Sequence, residues 1–446
     1  MTTVADPKAG RGAKALTRRG AALGREGRWN EAAQVFRELA LAQDGVNRPV
    51  GRSPKFPGRG QTLDGWVRAA LAHEQAGEDE ASSSAWRMAD ALDAGLKPWR
   101  ERSDRRDPAL WALIDGPLDS EADALALISG AAALSMPDSW WFCAYIQLYR
   151  RAWVCAACQA KDKAAEVVRL TQAGSLSYQA IAHADEGAWD AALAILPREA
   201  ANAHLGAGLS LLAGRRDQAA AWWDMLDPAP EDAAFAQVVR GVSIAIVGAA
   251  SPERAQGAEI DGFDLVVRTN FRDAAIIRPH AAAIGARTDI AYFNGNFEPD
   301  HREMILKGLE SDGPRHIVLR FDDPEALAAY RGRAVVRISG IVNPFYRMNA
   351  YAIPKIVHDL LRFRPGRIKV FNADFFLGAQ PHYAGYLDYD INLVQSFRGH
   401  DVLRNARLMR LWRERNLIEA DERLEGVLSL SEPELIDRIT ERLRAR

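Results

Sequence analysis

Two histidine motifs near the end of the chain carry side chains that can do chemistry at neutral pH. His382-Tyr383 is followed eighteen residues later by His400-Asp401. An imidazole with an ordinary pKa of about 6.5 can take a proton from a hydroxyl group or, when protonated, stabilise an anion. Two histidines at this spacing are unremarkable in isolation, so their interpretation depends on the elements that position them.

A third candidate for chemistry is the turn Gly248-Ala249-Ala250, which follows a predicted strand. The residues VSIAIVG, from Val242, are β-branched and continuous, as in a strand buried on both faces of a parallel sheet. A glycine and small residues after such a strand are typical of a nucleotide phosphate site. The turn has neither the glycine spacing of a dinucleotide fingerprint nor the Gly-Lys-Ser/Thr of a P-loop, so it predicts a nucleotide without indicating which one.

Strand and helix patterns alternate after Val242 and predict an α/β domain of Rossmann type. Further buried-strand candidates lie at 263–269, 288–294, 316–321 and 367–374. Helices are predicted near residue 325, at 350–363 and after a capping box that runs from Ser431 to Glu434. Asp322-Asp323 precedes a proline and is interpreted as a helix cap.

The sequence before about residue 240 is rich in Ala and Trp and helical in period. A glycine followed by an alanine-rich helix start recurs at irregular distances and resembles the tetratricopeptide helical hairpin. The four copies begin at Gly27, Gly77, Gly187 and Gly214. A loop is predicted at 44–61, which holds three Pro and four Gly. The predicted organisation is a flexible N-terminus at 1–12, an α-helical repeat domain at 13–238 and an α/β domain at 239–446, with a generic helical bundle as the alternative to repeats.

Composition excludes several classes of protein. The 446 residues are 48% hydrophobic and 26% charged with a formal net charge of −2, which excludes a largely disordered chain, a collagen-like chain and a membrane bundle, and offers no basic field for nucleic acid. No apolar stretch near the start predicts a signal peptide, and no run approaches the roughly 18 apolar residues of a membrane span. We therefore expect a cytoplasmic protein, either free or peripheral at the inner face of a membrane.

Pairs of cysteines and aspartates offer redox and metal chemistry. Cys155 and Cys158 have redox-motif spacing but lie in an apolar helical run, and no second pair or nearby histidine completes a zinc site, so we interpret them as buried thiols. With Cys143 they cannot make a disulfide framework. Asp388-Tyr389-Asp390 has the Asp-x-Asp form that holds a divalent metal in transferases that use nucleotide-diphosphate sugars.

The segment from Ser243 to Asn294 resembles the large sialylmotif of the sialyltransferase family. That motif has a strand ending in Val-Gly-Asn-Ser, then Gly, Ile-Asp, Asp-x-Val-x-Arg-x-Asn and Gly-x-Arg-Thr. The residues that match it in order are Val247, Gly248, Gly257, Ile260, Asp261, Asp264, Val266, Arg268, Asn270, Gly285, Arg287 and Thr288. One residue departs from the motif: the asparagine after Gly248, which binds the nucleotide phosphate in the family, is Ala249 here.

Three later segments resemble the remaining motifs of the family. Residues 343–376 are similar to the small sialylmotif, with the Ser-Thr-Gly turn replaced at about Arg347–Ala350. His382-Tyr383 resembles the third motif, and His400-Asp401 resembles the last, whose closing Glu is Asn405 here. The resemblance covers roughly residues 241–425.

This resemblance implies a Rossmann-like α/β glycosyltransferase domain, the GT-A-like variant of family 29 sialyltransferases, preceded by the helical repeats. It implies transfer of a keto-sugar acid from a CMP-sugar, with His400 as general base and His382 as phosphate ligand. It implies nucleotide binding by Gly248, Ala249, Asn270, Asn349 and Ala350. The family needs no metal, so the resemblance gives Asp388 and Asp390 no metal role and implies no cofactor besides the donor.

Several alternatives stay open at the level of sequence. The sugar can be sialic, pseudaminic or legionaminic acid, or Kdo, and Arg268, Arg287 and Arg347 either meet its carboxylate or form structural ion pairs. Fusion to helical repeats resembles bacterial flagellin glycosyltransferases and implies a protein acceptor; the rival is a capsule or lipopolysaccharide transferase. Ala249 and Asn405 keep open an inactive transferase-like scaffold. A methyltransferase-like enzyme would need an acidic residue at the end of the second strand to bind a ribose. Asp264 lies at the start of that strand, so this alternative is disfavoured.

Overall fold

The computed structural model describes residues 19–44 with short gaps, residues 118–130 and most of 151–445, together with isolated residues 16, 69, 145, 148 and 149. The gaps in the last range are 173–174, 228, 295–296, 311, 321–322, 341 and 388–392. Several predictions lie outside the described residues: the N-terminus at 1–12, nearly all of the loop at 44–61, Gly27 at the start of the first repeat phrase, the whole phrase that begins at Gly77, Cys143, Asp322 and the Asp388–Asp390 pair.

The contacts divide the chain into two compact units, Met1–Pro108 and Ala109–Arg446. In the first unit, helix α1 (Trp29–Asp44) presents a buried face that includes Phe36. The division does not coincide with the predicted boundary between residues 238 and 239, because helices up to Val239 belong to the same unit as the sheet.

The second unit is built on one seven-stranded sheet in which all neighbouring strands are parallel. The strands are β1 (Ser243–Val247), β2 (Leu265–Thr269), β3 (Ile290–Phe293), β4 (His316–Leu319), β5 (Val335–Ile338), β6 (Arg367–Phe371) and β7 (Glu419–Ala420). Five of them lie within predicted segments, whereas β5 and β7 are not predicted. The sheet confirms a Rossmann-like α/β architecture.

The order of strands across the sheet is β5-β4-β3-β2-β1-β6-β7. From β1 the chain builds the sheet outward to β5 and then returns to the other side of β1 with β6. The crevice outside the carboxyl ends of β1 and β6 is therefore the topological switch point, where open α/β sheets bind their ligands. Val247 and Phe371 are register partners at this edge, and Gly248 and Asn372 follow them.

Helices surround the sheet and precede it. They are α2 (Glu121–Gly130), α3 (Val154–Thr171), α4 (Leu176–Asp185), α5 (Trp189–Ile195), α6 (Ala203–Leu212), α7 (Arg216–Trp223), α8 (Pro230–Val239), α9 (Gly257–Asp261), α10 (Ala274–Ile277), α11 (Ala281–Ile284), α12 (Phe297–Leu309), α13 (Pro324–Tyr330), α14 (Ala352–Leu361), α15 (Leu393–His400), α16 (Val402–Glu414), α17 (Glu422–Leu428) and α18 (Glu432–Arg444). Asp323 caps α13, and the capping box of Ser431 and Glu434 opens α18, as predicted. None of the described helices has both the length and the apolar character that crossing a bilayer requires.

Two helical hairpins precede the sheet, α4–α5 and α6–α7. Their turns contain Gly187 and Gly214, whose φ angles of 76° and 77° lie in the left-handed region that favours glycine. Gly206 of α6 lies against the indole of Trp222 of α7, where a Cβ would come within 2.3 Å of the ring. Two of the four recurring phrases thus lie at hairpin turns, while a tetratricopeptide-like repeat over the whole N-terminal half stays a prediction.

A buried network of charges joins α3 and α4 to α16. Lys161 of α3 pairs with Asp401, the N-cap of α16. Arg404 pairs at 3.2 Å with Asp401 and at 3.2 Å with Asp185 of α4, and all four side chains are at most 5% exposed. Burial opposes the ionisation of Asp401, but the charges of Lys161 and Arg404 outweigh it and hold its pKa below the ordinary value. The network fixes the segment that follows His400 against helices that precede the sheet.

Replacing Lys161 by Met is expected to lower the free energy of unfolding by about 3–5 kcal/mol, because Asp401 loses a partner while it stays buried. Lys163→Met on the same helix is the matched control: Lys163 pairs with Glu166 at 2.6 Å on a partly exposed surface, where such a pair contributes about 0–1 kcal/mol. Urea denaturation measures both variants. Equal losses of stability would contradict the assigned role of Lys161.

Candidate functional site

Gly248 and Ala249 lie at the switch point. The Gly248 N–H donates to the last carbonyl of β6 at 2.7 Å. A Cβ on Gly248 would lie 2.3 Å from the carbonyl oxygen of Asn372, so the close approach of the two chains requires glycine. The carbonyl of Ala249 accepts the backbone N–H of Tyr383 at 3.1 Å. The predicted turn is therefore in direct contact with the predicted motif that contains His382.

Asn270 follows β2 and connects loops at the same edge of the sheet. Its φ of 52° is left-handed, a conformation that asparagine tolerates. Its Oδ1 accepts the N–H of Asn294 at 3.1 Å, and its Nδ2 donates to the Tyr386 hydroxyl at 3.3 Å. The same hydroxyl lies 2.7 Å from that of Thr269. The side chain of Asn270 thus positions the loop that carries His382.

His382 is half-buried in the loop between β6 and α15. The centroid of its ring lies 5.6 Å from that of Tyr386. Arg272, which follows β2, donates to the backbone carbonyls of Gly385 and, at 3.0 Å, Tyr386. These contacts and the Ala249 hydrogen bond hold the His382 loop against the carboxyl ends of β1 and β2, which is where a phosphate ligand of the nucleotide is predicted.

His400 is the last residue of α15, and its ring has a defined orientation and tautomer. Its Nδ1 lies 2.9 Å from the backbone carbonyl of Asn349, and because a carbonyl only accepts, Nδ1 must carry the proton. The ring stacks on Tyr351 at 4.4 Å with an interplanar angle of 20°. With the proton on Nδ1, the lone pair that can take a substrate proton is the one on Nε2.

Burial lowers the pKa of His400 to about 4. Lys355 and Arg320 act in the same direction, while the carbonyls of Asn349 and Ala350 oppose it. The imidazole is therefore neutral at pH 7, the state that a general base needs. The predicted residues Asn349 and Ala350 lie beside His400, and the Ala350 N–H is held by the Asn343 side chain at 3.1 Å.

Asn405 occupies the place of the family's closing Glu and holds the backbone around His400. Its Nδ2 donates to the carbonyl of Asp401 at 3.0 Å and to that of His400, and its Oδ1 accepts the N–H of Tyr351 at 2.9 Å. An amide donates and accepts at once, whereas a carboxylate only accepts. The departure from the motif therefore comes with a complete set of hydrogen bonds at this position.

Two basic residues near His400 are not predicted from the sequence as site residues. Lys355, in the first turn of α14, donates to the Asn349 side chain at 3.1 Å. Arg320 follows β4, and its charge acts on both Lys355 and His400. A basic environment of this kind suits an anionic ligand. A single Lys in a predicted helix does not indicate from the sequence that it lies beside His400.

The matched arginines have structural partners. Arg268 is buried and donates to the carbonyls of Ile284 and Gly285 at 2.6 and 2.9 Å. Arg287 donates to the carbonyls of Asp261 and Phe263 at 2.8 and 3.0 Å. These contacts tie β2 and the segment just before it to the turn before β3. The guanidinium of Arg347 lies 6.0 Å from the ring centroid of Tyr178 on α4.

The two thiols of Cys155 and Cys158 are free, and Cys158 is buried in α3. Burial raises the pKa of both thiols, so neither is an activated nucleophile. Among the residues that the structure describes, no group of His, Cys, Asp and Glu has the arrangement of a metal site.

A cavity of about 310 Å³ opens beside the carboxyl ends of β6 and β7. Arg423, which lines it, pairs with Asp374 at 2.6 Å and with Glu253 at 3.1 Å. None of the predicted site residues lines this cavity. We therefore place the candidate site at the two groups that contain His382 and His400.

Comparison with known proteins adds no family assignment to this geometry. No protein-family description matches the chain, and no curated protein matches it. The sialyltransferase-like interpretation rests on the sequence resemblance alone.

Proposed function

We propose that this chain is an inverting glycosyltransferase that moves a keto-sugar acid from a CMP-sugar to a hydroxyl acceptor. The observation that carries the proposal is the His400 imidazole, which is neutral, oriented by Asn349 and stacked on Tyr351, with its lone pair on Nε2. A neutral imidazole beside basic side chains provides a proton acceptor and a binding place for an anionic donor in one site. The sugar is sialic, pseudaminic or legionaminic acid, or Kdo.

In this proposal His400 Nε2 takes the proton of the acceptor hydroxyl as its oxygen bonds to the anomeric carbon of the sugar. The bond from that carbon to the CMP phosphate oxygen breaks, and its electron pair leaves with the phosphate. His382 stabilises the departing phosphate beside the turn at Gly248 and Ala249, in which the Gly248 N–H is already donated to β6. Ala249 offers no side-chain donor, so the turn contributes only through its backbone. Metal chemistry has no part in this step.

The proposed acceptor is a protein, such as a flagellin, or a cell-surface glycan. Support for a protein comes from the helical hairpins before the sheet, since stacked hairpins expose extended faces that suit a polypeptide. Part of that helical segment also holds α16 through Lys161 and Asp185. Helices α3 and α4 therefore have a structural role whether or not they bind an acceptor.

CMP is expected to stabilise the protein against thermal unfolding, because a ligand at 100-fold over its Kd adds about 2.7 kcal/mol to the native state. NAD and S-adenosylmethionine are expected to have no effect. The measurement is a thermal shift in EDTA, followed by transfer from CMP-sialic acid or CMP-Kdo in the same buffer. Stabilisation by CMP without transfer would favour the inactive scaffold, and activity restored only by Mg²⁺ or Mn²⁺ would assign Asp388 and Asp390 to a metal site. Stabilisation by NAD or S-adenosylmethionine alone would contradict the proposal.

A further inference from the structure

One residue, Asn349, holds an ammonium group and the His400 imidazole side by side. Its Oδ1 accepts from Lys355 Nζ at 3.1 Å, and its backbone carbonyl accepts from His400 Nδ1 at 2.9 Å. Lys355 is fixed at the start of α14, and His400 at the end of α15. The two side chains therefore reach the same place from separate helices.

The surroundings of Lys355 are basic. In the described part of the chain no carboxylate lies within 4 Å of Lys355 Nζ, and its hydrogen-bond partner is the neutral amide of Asn349. Burial lowers the pKa of Lys355 to about 7, and Arg320 acts in the same direction. A half-buried ammonium without a carboxylate partner is destabilising in the free protein, and an anionic ligand removes that cost.

We propose that Lys355 is the oxyanion-recognition residue of the His400 site, contacting a negatively charged oxygen group of the sugar nucleotide. This inference rests on the proposed function and adds to it the group that recognises the charge of the donor. The oxyanion is either the phosphate of CMP or the carboxylate of the sugar acid. Either group, when bound to Lys355, would place the reacting carbon near His400, because Asn349 accepts hydrogen bonds from both Lys355 and His400.

The proposal has a pH signature. Anion binding requires the protonated ammonium, so affinity is expected to fall about fifty-fold between pH 7 and pH 9, as the protonated fraction of a Lys with a pKa of about 7 falls from a half to about a hundredth. Among the residues that the structure describes, the charged and titratable groups that act on Lys355 and its surroundings are Arg320, which stays protonated, and His400, whose pKa of about 4 keeps it neutral over this range. Lys355 alone among these three changes charge between pH 7 and pH 9.

The test compares Lys355→Met, Lys355→Arg and the control Lys307→Met, an exposed Lys on α12. Calorimetry measures the affinities for cytidine, CMP, CMP-sialic acid and CMP-Kdo, and thermal unfolding confirms that each variant is folded. Lys355→Met is expected to weaken binding tenfold to a hundredfold and to remove the pH dependence, whereas Lys355→Arg retains the binding but not the pH dependence. Loss for CMP but not cytidine identifies the phosphate; loss for a CMP-sugar acid alone identifies the carboxylate.

A second measurement separates failure of this inference from failure of the proposed function. Acetic anhydride at pH 7 is expected to label Lys355 before the exposed Lys307, since its amine is half unprotonated, and inorganic phosphate or sialic acid is expected to protect it. If the native protein binds no cytidine nucleotide but Lys355 is still protected, the CMP-transferase proposal fails and the oxyanion site stands. If Lys355→Met binds every nucleotide as the native protein does, or if no anion protects Lys355, the inference is wrong.

Discussion

Replacing His400 by Ala is expected to lower the rate of sugar transfer by about 10²–10⁴-fold, the usual contribution of a general base. CMP binding is expected to stay close to that of the native protein, because His400 Nε2 acts on the acceptor hydroxyl and its Nδ1 proton is already bonded to Asn349. The effect should therefore fall on kcat and not on donor affinity. Steady-state transfer and CMP calorimetry on the same samples measure both quantities.

Two other histidines provide the contrast. His301 of α12 has a similar local environment, with Nδ1 at 2.9 Å from the Phe297 carbonyl and a stacked ring at 4.1 Å, so His301→Ala controls for losing such contacts. His382→Ala is expected to weaken CMP binding and transfer together, because the phosphate is present in ground and transition states. A His400→Ala enzyme that keeps most of its kcat, or a His301→Ala enzyme that loses as much, would remove His400 from the mechanism.

Most strands of the sheet can be predicted from the sequence because the buried ones are runs of apolar, mainly β-branched residues. β1 is a continuous apolar segment whose residues Ile244–Val247 are at most 2% exposed. β5 gives no comparable signal, since Val335 and Ile338 are exposed at the edge of the sheet and Arg337 interrupts the run. β7 has two residues, and only its pairing with β6 makes Glu419–Ala420 a strand.

The sequence motif carries information on architecture as well as on ligands. The Asn372 carbonyl lies so close to Gly248 that no Cβ fits there, so this position requires glycine. Arg268 and Arg287 donate to backbone carbonyls in the segments between β1 and β3. Asp261 likewise accepts the N–H groups of Ala286 and Arg287 at 2.9 and 3.1 Å. Matches of this kind predict the first βαβ unit directly, whereas their relation to a nucleotide remains a proposal.

The basic group around His400 could not be predicted because it depends on tertiary placement. Arg320 and Lys355 are 35 residues apart and follow different strands, and a Lys in an amphipathic helix is normally interpreted as part of a solvated face. Asn349, which precedes α14 in the chain, accepts hydrogen bonds from both Lys355 of α14 and His400 of α15 and so brings them together. Asp401 is a second case that depends on tertiary placement: in the motif it follows the proposed base His400, and in the structure it pairs with Lys161.

Deleting residues 1–235 is expected to abolish cooperative folding of the sheet, whereas deleting residues 1–108 is expected to preserve it. The longer deletion removes Lys161 and Asp185, the partners of Asp401 and Arg404, together with the helices that bury them. It also removes Phe235, a fully buried side chain whose ring lies 5.1 Å from that of Phe363. Losing such an aromatic costs about 3–5 kcal/mol by itself, out of a total stability of about 5–15 kcal/mol for a domain.

Circular dichroism with urea titration compares the two deletions, and CMP-sugar hydrolysis and transfer to the acceptor follow on any folded variant. The shorter deletion is the informative one for the acceptor, because it removes a compact unit without cutting the network at Asp401. Hydrolysis retained with transfer lost would place acceptor recognition in residues 1–108; retention of both would place it in the unit that contains the sheet. A cooperative urea transition for the protein lacking residues 1–235 would show that helices α1–α7 and the first part of α8 are dispensable for the sheet, and the structural role given to Lys161 and Asp185 would then be wrong.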